Sequence, residues 1–147
     1  MSSHASQSDR VSYPASFPTD CPPSASTPPN CRVYRLVGSD PPRGDDFVSQ
    51  AVRYPGSPHG DPCEACGLSV FLEEAHAVRL RETSPALRKW RHLVAAGDIE
   101  PHHGAILDTS ASGGSVGHHT WWVAEGVRPH ELFVVVGTVG GQCGRAT

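Results

Sequence analysis

The chain has 147 residues, and twelve Lys and Arg against fifteen Asp and Glu leave a formal charge of −3. No global positive field therefore draws it to nucleic acid or to an anionic lipid surface, and the length admits a single domain. The first residues hold no apolar stretch of the secretory kind, and the late apolar run 132–136 is far too short to span a bilayer. The expectation is a cytoplasmic protein with no membrane or nucleic-acid partner.

Residues 1–30 contain eight Ser and six Pro and hardly any aliphatic side chain. Such a segment buries too little apolar surface to offset its ordering entropy, so a disordered tail is expected. The five cysteines, Cys21, Cys31, Cys63, Cys66 and Cys143, are odd in number. With no signal segment in view they are expected to be mostly reduced thiols.

A domain is expected over 31–140, with 141–147 a flexible end. Val33-Tyr34-Arg35-Leu36-Val37 is β-branched and aromatic, and the Gly/Ser/Asp/Pro run after it stops a strand. Arg35 is the odd charge in that strand: either a solvated edge position or a side chain that binds a phosphate or carboxylate. Asp40 before Pro41 resembles a helix cap, and 45–52 suits a short helix. A Pro/Gly loop occupies 54–63. Residues 67–71 read as a second strand running into a helix over 72–80, and Ser84-Pro85 opens another helix. Residues 92–99 fit either the end of that helix or a strand. Residues 105–107, 120–123 and 132–139 read as further strands, with a Ser/Gly loop over 108–117. Strands and helices mix without a βαβ repeat, which gives an α+β class: a small single domain, its sheet mixed or antiparallel, with two or three short helices.

Several residue groups suggest chemistry. Cys63 and Cys66 form half of a zinc knuckle, which His59 would extend to H-x3-C-x2-C; a structural zinc would need further ligands. His102-His103 and His118-His119, with Asp108 between them, offer imidazoles. Adjacent residues on a strand face opposite ways, however, so each pair gives at most one ligand to a shared site. His119 is the candidate acid, base or ligand anchor, because Trp121 and Trp122 flank it. One of the two tryptophans should face outward and stack on a ligand ring, for which Trp121 is the candidate. The G-x-S-x-G match at 113–117 lacks the strand–turn–helix setting of a nucleophile elbow.

Three motifs occur in order: Tyr34-Arg35-Leu36-Val37 with Ser39-Asp40-Pro41-Pro42, Gly67-Leu68-Ser69-Val70-Phe71 ahead of an Ala-containing helix, and Gly117-His118-His119-Thr120-Trp121. The set resembles a group of small uncharacterised bacterial proteins, and that resemblance implies a strand over 92–100. More distantly, the chain is similar to the ADP-ribosyltransferase fold, which places Arg or His on a first strand, Ser or Tyr on a middle strand and Glu near a late strand. Arg35, Ser69 and Glu131 fall in that order. The likeness implies a nucleotide or NAD pocket, with Arg35 on the pyrophosphate, Ser69 bracing the ring and Glu131 holding a ribose hydroxyl as the catalytic carboxylate. The middle strand lacks the Ser-Thr-Ser run of that family, and no Glu-x-Glu or Gln-x-Glu precedes the late strand. Two functions are carried forward: a nucleotide-type pocket, with or without catalysis, and a non-catalytic interaction protein that binds a protein partner, with or without a structural zinc at Cys63, Cys66 and His59.

Overall fold

β-Branched and apolar residues gather in short runs along the chain, and these runs become strands. In a computed structural model, described for residues 11–57, 60–112 and 115–137, six strands form one antiparallel sheet in the order β4-β5-β2-β1-β3-β6. They are β1 (Cys31–Val37), β2 (Leu68–Phe71), β3 (Leu93–Ile99), β4 (Gly104–Asp108), β5 (His118–Val123) and β6 (Phe133–Gly137). The helices are α1 (Gln50–Arg53), α2 (Glu74–Thr83) and α3 (Pro85–Trp90), joined with the strands by loops and short 3-10 turns. The class is α+β as expected, and the sheet is the antiparallel one of the two types allowed. Among the described residues, no helix is long and apolar enough to cross a membrane.

The ambiguous stretch 92–99 is strand β3, and each of its residues pairs with β1, from Cys31–Ile99 to Val37–Leu93. Val94, Ala95, Ala96 and Ile99 are all buried. A central strand covered on both faces shows no polar alternation, which is why its pattern was unreadable. Gly97 serves close approach, because the Phe133 ring lies where a side chain would stand.

The helix expected over 45–52 is instead a 3-10 turn, Gly44–Phe47, and then the one-turn α1. Ser49 divides them: its backbone is extended, and its hydroxyl accepts from the Val52 amide as a cap. Asp46 braces the turn, accepting from the Gly38 and Arg43 amides at 2.8 and 2.9 Å. The two helix starts read at 72–74 and Ser84-Pro85 are present, the second with Ser84 capping Leu87.

Each sheet face has its own core. On one, Val33, Val37, Leu68, Val70, Trp121 and Phe133 pack together, and Phe47 stacks on Phe133 at 5.0 Å. On the other, Leu36, Phe71 and Val94 meet Ala77 of α2. Area burial of this kind is the main favourable term in a domain of this size.

The expectation of a disordered segment over 1–30 fails for residues 11–30, while residues 1–10 lie outside the described residues. Thr27 bridges Ile106 of the edge strand β4, with both backbone hydrogen bonds formed. The Glu125 amide donates to the Ser12 carbonyl, Tyr13 stacks on Phe17, and Pro29 is fully buried. Cys21 and Cys63 are joined in a disulfide, with Cα atoms 5.5 Å apart. Low hydrophobicity was a poor guide here because backbone hydrogen bonds and a covalent link hold this segment, not a core of its own. The flexible end expected over 141–147 lies outside the described residues.

Candidate functional site

Continuing the Tyr34–Phe71 register would set Leu36 opposite Ser69, yet pairing between β1 and β2 stops at Tyr34–Phe71. The opened seam is filled by Arg35. Its Nη1 donates to the Ser69 carbonyl at 2.8 Å and its Nε to the Asp46 carbonyl at 2.9 Å, with the guanidinium over the Phe47 ring. Arg35 is 5% exposed, so it is no solvated edge charge. Burial, and then the neighbouring Arg91 charge, pull its guanidinium down to about 9, against the opposing pull of Asp46. It stays cationic at neutral pH.

Ser69 also uses its side chain. The Ser69 hydroxyl lies 2.8 Å from Nε2 of His118, and His118 Nδ1 lies 2.7 Å from the Thr109 hydroxyl. Thr109 is in turn 2.9 Å from the Thr120 hydroxyl, and both threonines are buried. Burial lowers the His118 ring below the usual imidazole range, against an upward pull from Glu64, so the ring is neutral near pH 7. A neutral imidazole has one donor and one acceptor, so the chain of groups must be polarised in one direction. Running from Ser69 through His118 and Thr109 to Thr120, it leaves the ring nitrogen facing Ser69 as an acceptor. Gly67 lets β2 approach β5 here, since Thr120 and Trp121 occupy the space of a side chain.

This corrects the choice of histidine. Phe71 pairs with His118 and Ser69 with Thr120, so His118 and Thr120 share the Ser69 face. His119 faces the opposite way and bonds the Gly117 carbonyl through Nδ1. The alternation rule was sound, but the register was needed to pick the member.

Three clefts meet along this seam. A cleft of about 210 Å³ is lined by Arg35, Ser49, Gln50, Ser69 and Arg91. It shares Gln50 and Ser69 with a cleft of about 560 Å³ that holds Glu64, Ser112, His118 and Thr120. On the other side it shares Gln50 and Arg91 with a cleft of about 610 Å³ that holds Arg53, Tyr54 and Trp90. Gln50, at the start of α1, lines all three and makes them one groove. Among the described residues, none of Arg35, Arg53 and Arg91 makes an ion pair with a carboxylate.

Other expected site residues lie elsewhere. Glu131 sits in the 3-10 turn before β6, exposed and paired with Arg128 at 3.1 Å, and lines none of these three clefts. Strand β6 is on the far side of β1 and β3 from β2, about 14 Å across the sheet at strand spacing. The glutamate that does line the groove is Glu64, which accepts from the Ser112 hydroxyl; Asp61 lines the same cleft, and Asp45 and Asp46 line the outer one. Trp121 and Trp122 are both fully buried, so Trp121 has no open face to stack on a ligand. Their indole N–H groups donate to the carbonyls of His103 and Cys63.

The reduced-thiol expectation fails at Cys21 and Cys63, and a disulfide sulfur is no thiolate for zinc. Cys66 remains a thiol, which burial pushes up and so keeps protonated. His59 and Cys143 lie outside the described residues. Among the described residues, no three His, Cys, Asp or Glu side chains cluster to hold a metal ion.

Sequence reasoning missed His118, Thr109, Glu64, Arg53 and Arg91. A signal existed for His118 alone, as the other member of its pair. Comparison with family models, with curated proteins and with solved structures gives no match to the chain.

Proposed function

We propose that the groove binds a nucleotide-type ligand, NAD among the candidates, with its phosphates toward Arg35. The observation that carries this reading is the cluster of three arginines along the groove: Arg53 and Arg91 both lower Arg35, Asp46 offsets only part of this, and none of the three makes an ion pair with a carboxylate among the described residues. An anion at the seam relieves that repulsion, and guanidinium groups suit phosphate oxygens in geometry as well as charge. At the His118 end, the Ser69 hydroxyl, oriented by His118, offers its oxygen to a ligand hydroxyl, and Glu64 supplies a second acceptor. The use of an Arg on a first strand and a Ser on a middle one is similar to the ADP-ribosyltransferase fold. Turnover would then rest on His118 and Glu64, because Glu131 stands away from the groove.

Calorimetric titration with NAD and ADP tests the reading. The expected result is a saturable heat that Ser69→Ala and His118→Asn weaken without lowering the unfolding temperature by more than a few degrees. Absence of heat with every nucleotide tried would remove the proposal.

A further inference from the structure

The outer cleft contains an exposed aromatic pair with no evident structural purpose. Trp90, the last residue of α3, is 67% exposed, while Trp121 and Trp122 are wholly buried. Its backbone is pinned, because Gly38 at the end of β1 packs against the Trp90 carbonyl with no room for a side chain. Its ring projects into the cleft that Tyr54, Arg53 and Arg91 also line. Lys89 Nζ lies 5.0 Å from the ring centroid, which adds a further cation beside the aromatic surface.

Arg53 and Arg91 line the same cleft as Trp90. Arg53 Nη2 donates to the Asp45 carbonyl, but Arg53 Nε is buried with no partner among the described residues. A buried guanidinium N–H without an acceptor costs free energy that an anionic oxygen would recover. Arg91 is lowered first by burial and next by the Arg53 charge, so the two groups repel across the cleft. Asp46 tempers this without pairing with either, since its oxygens are bound to the Gly38 and Arg43 amides.

We propose that this outer cleft is a second subsite, in which Trp90 stacks on the planar base of a nucleoside phosphate while Arg53 and Arg91 hold its phosphate. Exposed indole surface suits a base because every base presents a π-face, and two guanidiniums within reach of the same space suit a phosphate. The shared lining residues Gln50 and Arg91 connect this subsite to the Arg35 cleft, so one dinucleotide spans both. The assignment rests on the nucleotide reading of the groove and adds its polarity: base at Trp90, phosphates at the arginines, the remaining sugar toward His118.

The test uses the intact chain with ADP, inorganic pyrophosphate and NAD. Because the other two tryptophans are buried, a change in indole emission on adding ADP reports on Trp90. The expected result is quenching by ADP and about tenfold weaker ADP binding in Trp90→Ala, the order of one lost base stack. Trp90→Phe should keep the affinity and lose the emission change, and Arg91→Gln should weaken ADP and pyrophosphate alike. If NAD binds and weakens with Ser69→Ala or His118→Asn, yet is indifferent to Trp90→Ala and Arg91→Gln, the outer subsite is overturned and the groove reading stands. If pyrophosphate binds as tightly as ADP, the stacking role is overturned. If no nucleotide binds, both readings fall together.

Discussion

Between β1 and β3 every residue of both strands is paired in register, whereas between β1 and β2 pairing is confined to Tyr34 and Phe71. The β1-β3-β6 half of the sheet is thus held by extended ladders, the β3–β6 one carrying a register shift between Val94 and Ala95. The β4-β5-β2 half is joined to it by one pair, by the Arg35 guanidinium, and by the packing of the two cores. The second half has its own braces. Thr27 pairs with β4, Cys21 is bonded to Cys63 ahead of β2, and Ser12 holds Glu125 just after β5. A chain that gives up ladder bonds at one seam gains there a place where side chains and a ligand can enter. The seam and the groove beside it collect the clustered arginines and the Ser69–His118 pair.

Changes on either side of the seam should separate these two modes of support. The largest effect is expected for Arg35→Ala, which leaves the Ser69 and Asp46 carbonyls without their charged donor. Hydrogen bonds to a charged group contribute about 1.5–3 kcal/mol each, so a loss of about 3–6 kcal/mol in urea unfolding is expected. Val33→Ala, which trims a fully buried core side chain of the same strand, should cost less than Arg35→Ala. A reversed order would mean that the seam is not a point of tension.

Next in size is Cys21→Ser. Opening a loop closed over a separation of 42 residues should cost about 2–4 kcal/mol. The loss should appear in hydrogen exchange as faster opening of β4, β5 and β2, with β1, β3 and β6 less affected. Uniform loosening of all strands would count against the two-part description.

The smallest effect concerns pH. His118 and His103 are both lowered, chiefly by burial, and both belong to the β4-β5-β2 side. Free imidazole titrates near 6.5, so just below that value the unfolded chain binds more protons than the folded one. Stability should therefore be constant above about pH 7 and fall as the pH drops through about 6. His118→Asn should flatten that fall, as measured by urea midpoints at about pH 5.5 and 7.5. An unchanged slope would mean that His118 is not the group responsible.

Much of the fold was legible because single strands and caps are local matters. Val33 to Val37, Leu68 to Phe71 and the Ser84 cap each carried their own signal. Strand β3 did not, since burial on both faces erased its alternation, and only the resemblance to small bacterial proteins favoured a strand there. The site was less legible for a related reason. Arg35 and Ser69 do meet in the fold, but which histidine would join them depended on a β2–β5 register that no local pattern encodes. Glu131 and Trp121 followed order along the chain, and order along the chain says nothing about the strands that come between. The outer arginines, Arg53 and Arg91, come from separate helix ends that only the folded sheet brings together.

The N-terminal segment has a consequence for the order of assembly. Residues 11–30 are synthesised before every strand of the sheet, yet Thr27 and Ser12 dock on Ile106 and Glu125, farther along the chain than any partner of β1. Contacts of such long sequence separation cost loop entropy and form late. This stretch, made before the sheet it covers, is therefore set down after the strands it covers are standing.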